Sequence, residues 1–184
     1  MNIRGKINIM IGQTQKKSRR GFSAIEVLVV LAILGLLTAL SFPSVVNSLE
    51  TRNLESTAKD ILNEMQRAKF QAVKTKLNHR LRFAQDSGRW IYVVEREDAV
   101  GTWNPVQGIV VKTISPGFST TVDLPSLQVV FSPLGMVTNF NSAQNSVVVH
   151  SSKLAGYNQP ADRYVYVFSG GSVHYSETSL VGGV

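Results

Sequence analysis

Residues 27–40 read VLVVLAILGLLTAL, and the flanking residues 22–25 and 41–46 extend the apolar stretch to about 25 residues, enough to span a bilayer as a helix. On one side stand Arg4, Lys6, Lys16, Lys17, Arg19 and Arg20, and no acid occurs before Glu26. Positive charge beside such a segment holds that end in the cytoplasm. The chain therefore begins as a basic leader followed by a membrane-compatible helix.

That leader accounts for nearly all of the chain's charge. Over 184 residues there are 19 Lys and Arg against 12 Asp and Glu. Six of the basic residues lie in residues 1–21, so removal of that segment leaves 13 against 12. The formal charge of +7 is thus weak support for a nucleic-acid partner, which would need its basic residues on the folded part. With no cysteine, disulfides, thiolate catalysis and Cys-ligated metal sites are excluded. The length suits one ordinary domain plus an appended segment.

A secretory signal peptide also pairs a basic with an apolar region, but ends in a small-residue cleavage site after the apolar run. Here the run is followed by FPSVVNSLETRN, which has none. A plain signal anchor, keeping residues 1–21 on a periplasmic binding or sensor protein, has no use for Glu26. A lone carboxylate in an apolar helix costs about 2.5–3.5 kcal/mol at the bilayer centre, less near an end, and needs a partner. Arg20, the nearest cation, precedes it in the leader.

Arg19-Arg20-Gly21-Phe22-Ser23-Ala24-Ile25-Glu26 resembles the processing signal of type IV prepilins and type II secretion pseudopilins. It combines a basic leader, Gly before the cut, Phe after it, Glu as fifth residue of the product and a retained apolar run. The resemblance implies cleavage between Gly21 and Phe22 by a membrane-embedded prepilin peptidase, which also methylates the new amine of Phe22. It further implies that Glu26 pairs with that amine on a neighbouring pilin or pseudopilin, since a buried carboxylate is tolerable only when paired. The product would sit in the bacterial inner membrane with its head periplasmic, in contact with lipid, and would enter a pilus or pseudopilus. Met10 offers an internal start that keeps the basic residues nearest the cut.

Pro43 removes a helix hydrogen bond near the end of the apolar run and is expected to kink the helix. Beyond it, Leu54, Ala58, Ile61, Met65, Ala68 and Ala72 recur at steps of four and three, one face of an amphipathic helix packing on the protein's own sheet. From residue 78 the period becomes two: Leu81 and Phe83 alternate with Arg80 and Arg82, and Asp86-Ser87-Gly88 turns the chain into WIYVV. Further strands are expected at residues 108–113, 127–131, 146–150, 163–168 and 172–175.

The helix ending QRAKFQAVKTK, the segments VVFSPLGMVTNF and SVVVHSS, and the closing RYVYVFSGGSVHY resemble the GspH/FimT branch of pseudopilins. This implies an α+β, pilin-like fold, a long N-terminal helix on an antiparallel sheet or sandwich. The expected partition is a removed leader at 1–21, a transmembrane half-helix at 22–46, an amphipathic half at 47–77, a β-rich head at 78–176 and a flexible tail at 177–184. Gly135 and Gly170-Gly171 read as turn glycines.

No catalytic chemistry emerges. His79, His150 and His174 fall on three expected strands without metal-ligand spacing, no serine sits in G-x-S-x-G, and no carboxylate pair is placed for acid–base work. A structural subunit with no catalytic residue, metal or cofactor is expected. The alternative is a DNA-binding minor pilin for DNA uptake, with Arg80, Arg82, Arg89 and Arg163 contacting phosphates. Nucleic acid remains the weaker partner, because strand arginines commonly form a solvated face and the tail YSETSLVGGV carries no Lys or Arg.

Overall fold

The structure is a computed structural model that describes residues 21–180, apart from the side chains of residues 39–44. Helix α1 (Ala24–Thr75) is followed by strands β1 (His79–Asp86), β2 (Arg89–Ala99), β3 (Thr102–Pro105), β4 (Lys112–Thr113), β5 (Ser119–Asp123) and β6 (Gln128–Phe131). Strand β7 (Ser146–His150), the single-turn helix α2 (Ser152–Gly156), β8 (Asp162–Val167) and β9 (Val173–Ser176) complete the chain. Contacts divide it into two compact units, Met1–Phe42 and Pro43–Val184.

In the second unit, Leu54, Ala58, Ile61, Met65, Ala68 and Ala72 are all fully buried. Their spacing winds them into one stripe, and that stripe joins a core built with residues of two antiparallel sheets. The first sheet runs β3-β2-β1-β6, with β4 also on β2, and the second runs β5-β7-β8-β9. On β1 the alternation puts His79, Leu81 and Phe83 inward and Arg80 and Arg82 on the other face. Phe83 lies opposite Tyr92, their rings 5.8 Å apart, a cross-strand aromatic contact that helps hold register.

Ser87 and Gly88 have φ of 50° and 77°, the paired left-handed geometry of a two-residue hairpin turn matching strand twist. The expected strand at 108–113 contracts to Lys112–Thr113, paired with Tyr92 and Ile91. The Val106 N–H donates to the Val94 carbonyl, Ile109 N–H closes back on Val106, and Gly108 takes φ 80°. That turn consumes the first half of the run and leaves Val110 exposed. Strands β3 and β5 and helix α2 had no clear sequence signal. β5 is STTVD and β3 is TWNP, neither an apolar alternation.

The open edge of β6 is closed by a side chain. Asn139 accepts the Val130 N–H through Oδ1 at 2.9 Å and donates Nδ2 to the Gln128 carbonyl at 2.9 Å. One amide thereby supplies the donor and acceptor a further strand would offer. At the end of the chain, the Leu180 N–H donates to the Tyr166 hydroxyl at 2.9 Å, so tail residues up to 180 are tied to β8. Residues 181–184 of the expected flexible tail lie outside the described residues.

Candidate functional site

Gly21, Phe22 and Ser23 precede α1 without regular structure. The Ser23 carbonyl accepts the N–H groups of Glu26 (3.0 Å) and Val27 (3.2 Å), which starts the helix there. Ser23-Ala24-Ile25-Glu26 has the S-x-x-E spacing of a capping box, and an acid in the first turn is favoured by the helix dipole. Local chemistry thus places Glu26 one turn from the Gly21–Phe22 bond. Glu26 is exposed and, among the described residues, has no ion-pair partner.

The same stretch buries nothing. Phe22 is 81% exposed, and the consecutive Val27, Leu28, Val29, Val30 and Leu31 are all exposed. At about 100° per residue that run covers every side of a helix. Among the described residues, no helix is long and apolar enough to cross a membrane, and the described side chains break off between Thr38 and Val45. The helical assignment passes through Pro43, whose side chain lies outside the described residues. So does leader segment 1–20, including the Met10 start.

The head arginines are not gathered into one surface. Arg80 and Arg82 both hold Glu95, at 2.6 and 3.0 Å. Arg80 also donates to Gln128 at 2.8 Å and lies over the Trp103 ring, 4.3 Å from its centroid. Arg89 stands at the turn end of the hairpin opposite Asp86, whereas Arg80 stands opposite Glu95. Six residues of extended strand, about 20 Å, separate them. Arg163 is not on a solvated face at all: it is 3% exposed, donates to the carbonyls of Pro160 and Asp162, and lies 3.6 Å from Glu55 of the helix.

The three histidines are equally dispersed. His79 is buried on β1, with Nδ1 3.1 Å from the Leu77 carbonyl and Nε2 without a partner. Burial, reinforced by nearby Arg96, holds its imidazole below the ordinary value. His150 pairs with Asp162 at 2.7 Å across β7 and β8, and His174 packs edge-on to Phe168. Among the described residues no group of three His, Cys, Asp or Glu side chains could hold a metal ion. A recess of about 350 Å³ between α1 and residues 115–118 contains one carboxylate, Glu50. That group is engaged by Ser151 (3.0 Å) and Lys153 (3.5 Å).

One junction escaped the sequence reading. The turn after β6 and the turn between β8 and β9 meet backbone to backbone: a Cβ on Gly171, at φ 75°, would run into the Gly135 carbonyl oxygen. Val137 N–H donates to the Ser169 carbonyl at 3.0 Å, and Lys69 of α1 donates to the Gly171 carbonyl at 2.9 Å. The glycines are read correctly as turn residues, but their mutual approach joins two segments 36 residues apart, which no local pattern encodes.

Residues 16–42 match the prokaryotic N-terminal methylation motif. A search of curated proteins finds no match. The fold is similar to that of the minor pseudopilin EpsH from the type 2 secretion system of Vibrio cholerae, with a TM-score of 0.51 and 14% identity. That match covers 67% of this chain and 96% of the other. The type IV minor pilin FimU of Pseudomonas aeruginosa aligns at a TM-score of 0.49 and 14% identity, over 69% and 90% of the two chains. The chain therefore carries an N-terminal methylation motif at the start of a pilin-like α+β fold.

Proposed function

We propose that this protein is a minor pseudopilin or minor pilin, a structural subunit of a type II secretion pseudopilus or type IV pilus rather than an enzyme. A prepilin peptidase cuts it between Gly21 and Phe22 and methylates the Phe22 amine. Its apolar helix holds it in the inner membrane until a neighbouring subunit replaces the lipid. The observation that carries this reading is the lone Glu26, without an ion-pair partner among the described residues, one turn into a helix whose described apolar side chains are exposed on every side. A carboxylate so placed is costly until a positive group meets it. The amine of Phe22 on the next subunit is such a group, and assembly brings it there.

Cleavage matters twice in this scheme. It frees the amine, and it removes six positive charges that would otherwise repel one another wherever subunits converge. N-terminal sequencing and intact mass of protein recovered from the envelope test it directly. A mature chain beginning with methylated Phe22 is expected; a chain beginning at Met1 or Met10 overturns the proposal. Glu26→Ala is expected to leave head folding and cleavage intact while incorporation into fibres collapses.

A further inference from the structure

The far end of α1 carries an apolar surface that no described residue of this chain covers. Phe70 lies on the side of α1 away from the buried stripe and is 63% exposed; Val73 follows it at helical spacing, and Leu77, two residues past the helix end, is exposed as well. The turn after β6 leans on the same place, because a Cβ on Gly135 would sit 3.2 Å from Val73 Cγ2 and 3.1 Å from Lys69 Cε. On either side of that glycine, Leu134 is 83% exposed and Met136 half exposed. Solvated isolated apolar residues need no explanation, but five exposed apolar residues on one helix end and the turn that packs against it do.

Charge says what kind of partner fits. Residues 65–77 contain Arg67, Lys69, Lys74 and Lys76 and no acid. Lys69 is engaged by the Gly171 carbonyl and Arg67 by Glu64 at 3.5 Å, whereas Lys74 and Lys76 make no ion pair among the described residues. The acids next along the fold are already held: Glu97 by Asn78 and the Gly101 N–H, and Asp98 by Arg96 and Asn104. The apolar patch is thus rimmed by cations. A second copy docked face to face would oppose Lys74 and Lys76 with their own equivalents, and like charges across an interface are unfavourable.

We infer that this surface docks a different protein subunit, one presenting an apolar side chain ringed by Asp and Glu. This rests on the fibre-subunit reading above and adds to it a direction. The end of the helix remote from Phe22 receives a heterologous neighbour, with Phe70 as the anchor and Lys74 and Lys76 setting specificity. An aromatic in an apolar pocket supplies the affinity of such contacts, while the charged rim selects the partner.

The test places a photoreactive phenylalanine analogue at Phe70 in the full-length chain, expressed in its native envelope, and identifies adducts by mass spectrometry. The expected product is one heterologous envelope protein whose crosslinked segment contains an acidic cluster. Its yield should fall at least about tenfold in Lys74→Glu/Lys76→Glu and persist in Lys74→Arg/Lys76→Arg. Both positions are exposed, Lys74 in the last turn of α1 and Lys76 in the turn that follows it, and resistance to limited proteolysis confirms the fold. A homodimer adduct, a nucleic-acid or lipid adduct, no adduct, or an adduct indifferent to charge reversal overturns the inference. Sequencing the N-terminus of the same sample separates the two ideas: a Phe22 start without the adduct refutes the docking surface alone, and an uncut leader refutes the fibre-subunit reading.

Discussion

Helix α1 lives in two regimes. In the first unit the apolar residues of its described part surround the axis and none of them is buried, while in the second a single stripe is buried and the remaining positions are mostly polar. Both patterns satisfy the same rule, that apolar surface leaves water. They differ in where the cover comes from. The second unit brings its own sheets, so its stripe is one residue in three or four. Among the described residues the first brings no such cover, and its helix is apolar on all sides. The contrast locates the packed core in one region and the uncovered apolar surface proposed for assembly in the other.

The strongest way to break that division is at the junction of turns in the second unit. Gly171→Val combines a strained positive φ with a backbone collision and is expected to destabilise the head by about 4 kcal/mol or more. Chemical unfolding of the detergent-held chain reads it out, and near-native stability would mean the Gly135 and Gly171 turns can separate freely. Next in size is a matched pair along one helix. Leu54→Ala should cost about 3 kcal/mol through the cavity it leaves. Leu34→Ala, equally conservative on paper, should leave head unfolding unchanged because Leu34 is exposed. Equal effects would abolish the distinction between the two regimes.

His79 sharpens the comparison within the core. Its folded value is depressed by burial, so between that value and the unfolded one of about 6.5 the unfolded chain binds more protons. Stability is then complete above about pH 6.5 and declines as pH falls through the window below it. His79→Leu should flatten that part of the pH profile of unfolding, and an unchanged slope would assign the acid sensitivity elsewhere. Smallest is Arg82→Ala: the side chain is 40% exposed and Glu95 keeps Arg80. A loss of about 1 kcal/mol or less is expected in urea titration, and a larger one would make the pair of arginines a cooperative unit.

Much of the architecture was legible because it is written in short-range periodicity. The helical stripe, the β1–β2 hairpin turn and the strands β7, β8 and β9 follow from spacing and turn chemistry within a dozen residues. The motif at Gly21, Phe22 and Glu26 is legible for the same reason, as one contiguous stretch. Less local features were not. Arg80, Arg82 and Arg163 share a residue type that suggested one solvated face, yet β1 pairs two of them with Glu95 and β8 turns the third onto Glu55. Their fates depend on what each strand lies against.

The sequence alone therefore determined that a basic segment precedes an apolar helix with one carboxylate, and that an amphipathic extension and a β-rich head follow. Each of these is set by composition and period along the chain. Tertiary structure decided how the strands divide into two sheets, that Asn139 closes an edge, that Gly171 must meet Gly135, and that Phe70 stays uncovered. Those outcomes require segments distant in sequence to arrive at one place, and only packing of the whole head determines which of them do.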